Sequence, residues 1–251
     1  MPRPNRVPLH DPNYIYPPSK NPYWAKMEEF RGRIYSDNAT EKHRGSWREH
    51  FLDSASNTST QKSSERRALH VEIGCNGGHV SLEWADRNPK DAFIGLDWKF
   101  KQIHRGAEKA NKRKLDNLIF FRSHAERLPF MFGDGEIDFL YLFFPDPWPK
   151  KAQWKNRFLT ADRLLAIAPL LRPGGVFHIK TDHAGYFEWM ENAVSELQKE
   201  NGRLWKVTDL NRDLHQDHPN PTTLQIPDVT LFERLFIKDG IKIHQMKLTR
   251  L

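Results

Sequence analysis

From Arg66 onward, short apolar runs alternate with amphipathic segments, and this alternation constrains the fold more than any other feature of the chain. Leu69–Gly74 (LHVEIG), Ala92–Asp97 (AFIGLD), Leu118–Ser123, Ile137–Phe144 (IDFLYLFF) and Val176–Thr181 read as strands. Helices are expected over Gly77–Asp86, about Lys99–Lys114, near Arg157–Ala168 and over about Ala184–Lys199. Such a succession demands a mostly parallel sheet with helices on both faces, because each crossover helix packs back onto the sheet. Ile137–Phe144 is the longest apolar run and is expected at the centre, buried on both faces. Near the end, Thr230–Lys238 and Ile241–Leu248 flank Asp239-Gly240, which predicts a closing antiparallel hairpin.

The first 65 residues read as an extension, partly flexible, and 66–251 as the main domain. Residues 1–53 look irregular, with prolines at 2, 4, 8, 12, 17, 18 and 22 and one short helix over about Tyr23–Ile34. Ser54–Ser64 (SASNTSTQKSS) is a polar, low-complexity linker or surface insertion. No apolar run approaches the roughly 20 residues that cross a bilayer, and Met1–Lys20 lacks an apolar signal core. Cys75 is the sole cysteine, which excludes an internal disulfide or a cysteine-cluster metal site and suits a reducing cytoplasm. A net charge of +7 favours an anionic partner, and nucleic acid is the obvious candidate.

The first strand runs into Glu72-Ile73-Gly74-Cys75-Asn76-Gly77-Gly78. Glycines at a strand-to-helix turn let a ligand approach the backbone closely. Their spacing is not that of a dinucleotide fingerprint, and Glu72 would repel a pyrophosphate but attract a sulfonium or amino group. Asp97 follows about 20 residues past the turn, where an acid accepts hydrogen bonds from ribose hydroxyls; capping of the next helix is the other role open to it. Turn and acid together indicate a nucleoside cofactor. Phe143-Phe144-Pro145-Asp146-Pro147-Trp148-Pro149-Lys150-Lys151 closes the central strand, where active groups gather in open α/β sheets. Prolines around Asp146 hold its carboxylate rigidly, and an aromatic ring and two lysines follow, a set suited to a nucleobase on a polyanion.

With these residues in view, the chain resembles the bacterial transfer RNA (guanine-N7)-methyltransferases. The resemblance covers about Leu69–Leu248, with fainter support from Asn21-Pro22-Tyr23 and Gly45-Ser46-Trp47-Arg48. It rests on EIGCNGG at Glu72–Gly78, FFPDPWPKK at Phe143–Lys151, TDHAGYFEWM at Thr181–Met190 and TLFE at Thr230–Glu233. It implies a class I S-adenosylmethionine-dependent methyltransferase fold, Rossmann-like, with S-adenosyl-L-methionine as cofactor and tRNA as partner; a monomer or homodimer is expected, and no metal, since none of the 12 histidines is paired at ligand spacing on a convincing helix. By the same resemblance Glu72, Gly74, Asn76, Gly77, Asp97, His124, Ala125 and Asp146 are cofactor contacts. Asp146 is also the central acid of methyl transfer. Lys150, Asp182, Thr230 and Glu233 form the guanine pocket, and Lys151, Lys155 and Arg157 touch RNA. The implied substrate is the variable-loop guanosine at tRNA position 46.

The chain departs from the family at several points. The family more often has Glu where Asp97 stands. It usually places Asp or Asn, not His124, before the alanine after the third strand. Its basic run after Lys151 is replaced here by Ala152-Gln153-Trp154-Lys155-Asn156-Arg157. On the helix after Asp97, Lys101, Arg105, Lys109 and Arg113 recur every four residues, opposite Ile103, Ala107 and Ala110, and offer a substitute basic face. Guanine N7 carries an in-plane lone pair, so no general base is required and positioning and electrostatics dominate. Trp148 or Trp154 is a candidate to stack on the base or to fill its place. Nucleophilic catalysis through Cys75 is a weaker idea. Two rival readings stay open at this level: an RNA-binding protein with weak or no activity on a methyltransferase scaffold, and a methyltransferase for another RNA or a small molecule.

Overall fold

The structure is a computed structural model, and it describes residues 8–17, 19–55, 66–216 and 229–251. Its elements run α1 (Pro22–Lys26), β1 (Ile34–Ser36), α2 (Trp47–Ala55), β2 (Leu69–Ile73), α3 (His79–Arg87), β3 (Ala92–Asp97), α4 (Phe100–Lys112), β4 (Leu118–Arg122), α5 (Leu128–Met131), β5 (Ile137–Phe143), α6 (Ala161–Ile167), β6 (Leu171–Thr181), α7 (Ala184–Asn201), β7 (Trp205–Asn211), α8 (Leu231–Lys238) and β8 (His244–Arg250). The strands form one sheet of order β1-β4-β3-β2-β5-β6-β8-β7. Strands β1 to β6 pair in parallel, and β8 pairs antiparallel with both β6 and β7. The parallel sheet and its antiparallel ending therefore match the expectation, and β5 lies centrally between β2 and β6.

The helices cover the two faces with separate cores. On one, Trp47 and Phe51 of α2 join Leu164 of α6 and Tyr186, Phe187 and Met190 of α7 against Val71, Leu140 and Phe177. On the other, Val80 and Trp84 of α3 and Ile103, Ala107 and Ala110 of α4 enclose Phe93 and Phe120. Here α4 turns the apolar face read from its spacing toward the sheet. A Cβ at Gly78 would stand 2.7 Å from the Phe120 ring, so the glycine is required by packing as well as by its φ of +68°.

The closing hairpin does not form as expected. Thr230–Lys238 is a helix, not a strand: Thr230 Oγ1 accepts the Glu233 N–H at 3.0 Å, and Glu233 accepts the Thr230 N–H at 3.2 Å. This reciprocal capping box starts α8. Asp239-Gly240 ends the helix: the Ile241 N–H reaches Phe236 O (2.8 Å), the Gly240 N–H reaches Ile237 O (3.0 Å), and Gly240 has φ +70°. The antiparallel partner of β8 is instead β7.

The N-terminal region is more ordered than its prolines suggest. The expected Tyr23–Ile34 helix is limited to α1 and a 3-10 turn at Met27–Phe30, after which Ile34 begins β1 beside β4. Trp47 is fully buried; its N–H reaches Glu136 Oε1 at 2.7 Å, and the Gly45 N–H reaches Glu136 Oε2 at 2.8 Å. Part of the expected extension is thus built into the sheet. The predicted linker Ser54–Ser64 falls, from residue 56 on, outside the described residues, as do the prolines at 2, 4 and 18.

Candidate active site

The glycine turn after β2 is drawn toward β3, since the N–H groups of Gly74 and Cys75 both donate to Leu96 O (2.8 and 3.0 Å). Asp97 at the end of β3 fixes it from the other side. Its Oδ2 accepts the Asn76 N–H at 3.0 Å and its Oδ1 the Lys99 N–H at 2.9 Å. Asn76 sits at φ +52°, and a Cβ at Gly74 would meet nothing within 4 Å, so the turn leaves open space above it. Glu72 is buried beneath the turn and accepts from the Ser81 N–H (3.2 Å) and the Ser81 hydroxyl, which fastens α3 to β2. Burial pushes its carboxyl up to about 7 against the pull of those two bonds. Burial also raises the Cys75 thiol well above its ordinary value, so thiolate chemistry has no support there.

His124 and Ala125 follow β4. The His124 ring lies near-parallel to Trp98 (6.2 Å between centroids, 13°) and to Tyr16 (6.5 Å, 14°). Tyr16 arrives from a strap of residues 8–17. The buried Arg127 holds the strap through Leu9 O (3.0 Å) and Asp11 O (3.1 Å), and Tyr16 Oη lies 2.5 Å from Ser123 Oγ. Tyr16 and Trp98 carried no signal in the sequence, because their meeting with His124 depends on contacts across the fold.

The second half of the site lies at the carboxyl ends of β5 and β6. Phe143 pairs with Lys180, and the Phe144 N–H reaches Lys180 O at 2.8 Å, so Asp146 and Asp182 extend from neighbouring strand ends. Asp146 is exposed on a loop where Phe144 (φ +52°) and Trp148 (φ +46°) both occupy the left-handed region. Two bulky residues there are strained and need outside restraint. Arg157 supplies it. Its Nε donates to Pro147 O at 2.9 Å, and its guanidinium carbon lies 4.7, 4.9 and 5.0 Å from the rings of Trp154, Tyr186 and Trp189. Only 5% of Arg157, expected to touch RNA, is exposed, and its caged guanidinium faces the loop. Trp154, half-buried, packs on Trp189 and Arg157. Lys150, Lys151 and Lys155 are exposed.

Thr230 and Glu233 stand beside these strand ends, because Lys180 Nζ lies 3.1 and 3.3 Å from the Glu233 carboxylate oxygens. His215 Nε2 lies 2.6 Å from Glu233 Oε1. Burial alone would raise the Glu233 carboxyl, but the His215 bond and the Lys180 ammonium outweigh it and hold it below its ordinary value. The Glu233 carboxylate is thus engaged by Lys180, His215 and the Thr230 N–H. A cavity of about 580 Å³ on the α3 side of the sheet reaches up to this cluster through His178, Lys180 and His215.

Comparisons with known proteins bear on the fold and the family. Among solved structures, an antibiotic-related methyltransferase superposes with a TM-score of 0.54 at 16% identity, covering 81% of this chain and 94% of its own. The 16S rRNA methyltransferase KamB gives 0.53 at 19% identity, covering 80% and 93%. These likenesses define the class of fold, that of the class I S-adenosylmethionine-dependent methyltransferases. The family described as "Putative methyltransferase" matches residues 66–246. A tRNA (guanine-N(7)-)-methyltransferase of Bdellovibrio bacteriovorus is 30% identical over 190 residues, 76% of this chain and 86% of that protein. One from Lactococcus lactis subsp. cremoris (strain MG1363) is 31% identical over 180 residues, 71% and 78%. The chain belongs to the tRNA (guanine-N7)-methyltransferase family.

Proposed function

We propose that the chain transfers a methyl group from S-adenosyl-L-methionine to N7 of a guanosine in tRNA, at position 46 of the variable loop, in the cytoplasm. The observation that carries the reading is the rigid presentation of Asp146, exposed on a strained loop that Arg157 clamps, next to Asp182 and the Thr230–Glu233 helix start. The chain's own residues fit the cofactor. The turn is open above Gly74, the Asp97 carboxylate keeps lone pairs for a ribose diol beyond its two backbone bonds, and the exposed Trp98, with His124 beside it, offers a flat ring for a purine. Glu72 keeps the turn in place through Ser81, and Gly74, Asn76, Gly77 and Ala125 line its rim. The bound cofactor supplies an electrophilic methyl on a sulfonium.

On the acceptor side, the N7 lone pair forms the new carbon–nitrogen bond as the sulfur–carbon bond breaks. No proton leaves, so no residue acts as a base. The purine gains positive charge, and Asp146 and Asp182 stabilise it as it develops. Glu233, held ionised by Lys180 and His215, fixes the start of α8 and the Lys180 ammonium beside the strand ends. Thr230 aligns α8 against the base. Lys150, Lys151 and Lys155 reach toward phosphates.

The test is direct. The protein is incubated with tRNA transcripts carrying a variable-loop guanosine and methyl-labelled cofactor, and N7-methylguanine is mapped by borohydride/aniline cleavage. Cleavage at that guanosine alone is expected. No label despite cofactor binding, or label elsewhere, would overturn the proposed substrate.

A further inference from the structure

The basic residues of α4 are unequally engaged. Arg113, just past the helix end, is bound on two sides, with Nη1 2.6 Å from Glu83 Oε1 and Nη2 2.6 Å from Asp86 Oδ2. Lys112 lies 3.8 Å from Glu108. Lys101, Arg105 and Lys109 are exposed, and none pairs with an acid among the described residues. Spaced four residues apart, they stand on one face at intervals of about 6 Å. The opposite face is the buried one, with Ile103, Gly106, Ala107 and Ala110.

This face is continuous with the site. Lys109 reaches back to the glycine turn, where a Cβ at Gly77 would stand 3.8 Å from its Nζ. His79, the first residue of α3, feels the positive charges of Arg234, Lys109 and Arg113 together with the negative charge of Glu83. Its Nε2 is buried with no hydrogen-bond partner among the described residues. A cationic belt therefore runs from α4 past the glycine turn to Arg234 on α8, the helix whose start carries Thr230. On the opposite flank of the site, caged Arg157 is lost to the solvent-facing charge.

We propose that Lys101, Arg105 and Lys109 form a phosphate-binding face that holds the tRNA body outside the guanosine pocket. The inference rests on the reading that tRNA is the substrate. An evenly spaced row of cations suits a polyanionic backbone, whereas the cores of protein interfaces are depleted in lysine.

The experiment uses the full-length protein with Lys101→Ala, Arg105→Ala and Lys109→Ala combined, since alanine preserves helix propensity. tRNA affinity is measured by filter binding, and kcat and KM by methylation, across roughly 50 to 200 mM salt. The expected result is a tRNA KM raised about tenfold or more and a log–log salt slope shallower by about 2 to 3. Cofactor affinity and kcat at saturating tRNA stay at the wild-type level. The charge-matched control Lys199→Ala, Arg203→Ala, Lys206→Ala, on exposed positions near β7, leaves all of these unchanged. Unchanged tRNA affinity and slope in the α4 variant would overturn the proposal and turn attention to an acidic protein partner. A fall in cofactor affinity with tRNA affinity intact would also overturn it, assigning the row to the glycine turn. If the wild-type protein binds tRNA without methylating it, the functional reading fails while the binding series still decides the role of α4. If it binds no tRNA, both fail.

Discussion

The two halves of the site are built on opposite plans. At the glycine turn the important carboxylates are buried and already occupied by backbone or serine donors, as with Glu72 on Ser81 and Asp97 on Asn76 and Lys99. At the β5 end the central carboxylate, Asp146, is exposed on a loop with two left-handed bulky residues, held from outside by Arg157. The first plan suits a small ligand of constant shape, met by a preformed cradle. The second suits a large acceptor that must bring its own base to a fixed charge. Rigidity comes from internal hydrogen bonding in one half and from a distant clamp in the other.

The largest effect separating the halves is expected from Asp146→Ala. Loss of one preorganised electrostatic group lowers kcat by about 10²- to 10³-fold, while calorimetric cofactor affinity, to which Asp146 is one contact among several, falls far less. Cofactor affinity falling in parallel with kcat would erase the division.

Glu72 provides the next test. Its folded pKa, about 7, lies above the unfolded value of 4.5. The folded state therefore holds a proton that the unfolded state releases, and stability declines as pH rises from about 4.5 to about 7. At about 1.4 kcal/mol per unit, the decline from this group is up to about 3 kcal/mol. Glu72→Gln should flatten this part of the stability–pH curve in denaturant titrations; an identical slope in the two proteins would contradict the burial argument.

Arg157→Ala empties the aromatic cage and frees the Pro147 carbonyl. It should cost about 2 to 3 kcal/mol in stability and lower kcat more than it raises the cofactor Kd. Arg157→Lys keeps the charge but not the planar stacking, and should recover stability only in part. Equal loss in both halves would mean that Arg157 supports the whole fold and not the loop.

A smaller effect is expected at the strap. Tyr16→Ala removes the ring stacked on His124 and should weaken cofactor binding several-fold, about 1 kcal/mol, with the tRNA KM unchanged at saturating cofactor. The smallest is Gly240→Ala. At φ +70° it should lower the thermal midpoint by an amount equivalent to about 1 kcal/mol or less. No loss would remove the case for a helix cap at Asp239-Gly240.

What the sequence made readable follows from the range of the forces involved. Strands β2 to β5, the Val176–Thr181 part of β6 and the glycine turn are written in local patterns, so hydrophobic period and spacing were enough, whereas the Leu171–Gly175 start of β6 was not read. Asp239-Gly240 was misread because Asp-Gly serves both hairpins and helix ends; Thr230-x-x-Glu233 was the local signal that decides for a helix. Strand β7 was missed because the register shift between Val207 and Asp209 interrupts its alternation. Arg157 read as an RNA contact, and only the approach of Tyr186 and Trp189 on α7 reveals the cage. Of the candidate site, the acids and the turn were visible, whereas Tyr16, Trp98 and the partners of Glu233 depend on contacts between distant segments.

The docking of β1 and α2 has a consequence for how the molecule is made. Ile34 pairs beside Phe120, and the Gly45 and Trp47 amides end on Glu136. During synthesis, Ile34, Gly45 and Trp47 therefore have no native partner to join until roughly ninety more residues have followed. Trp47 and Phe51, wholly enclosed at the end, spend that interval as unburied aromatics on a nascent chain, where chaperones find their targets.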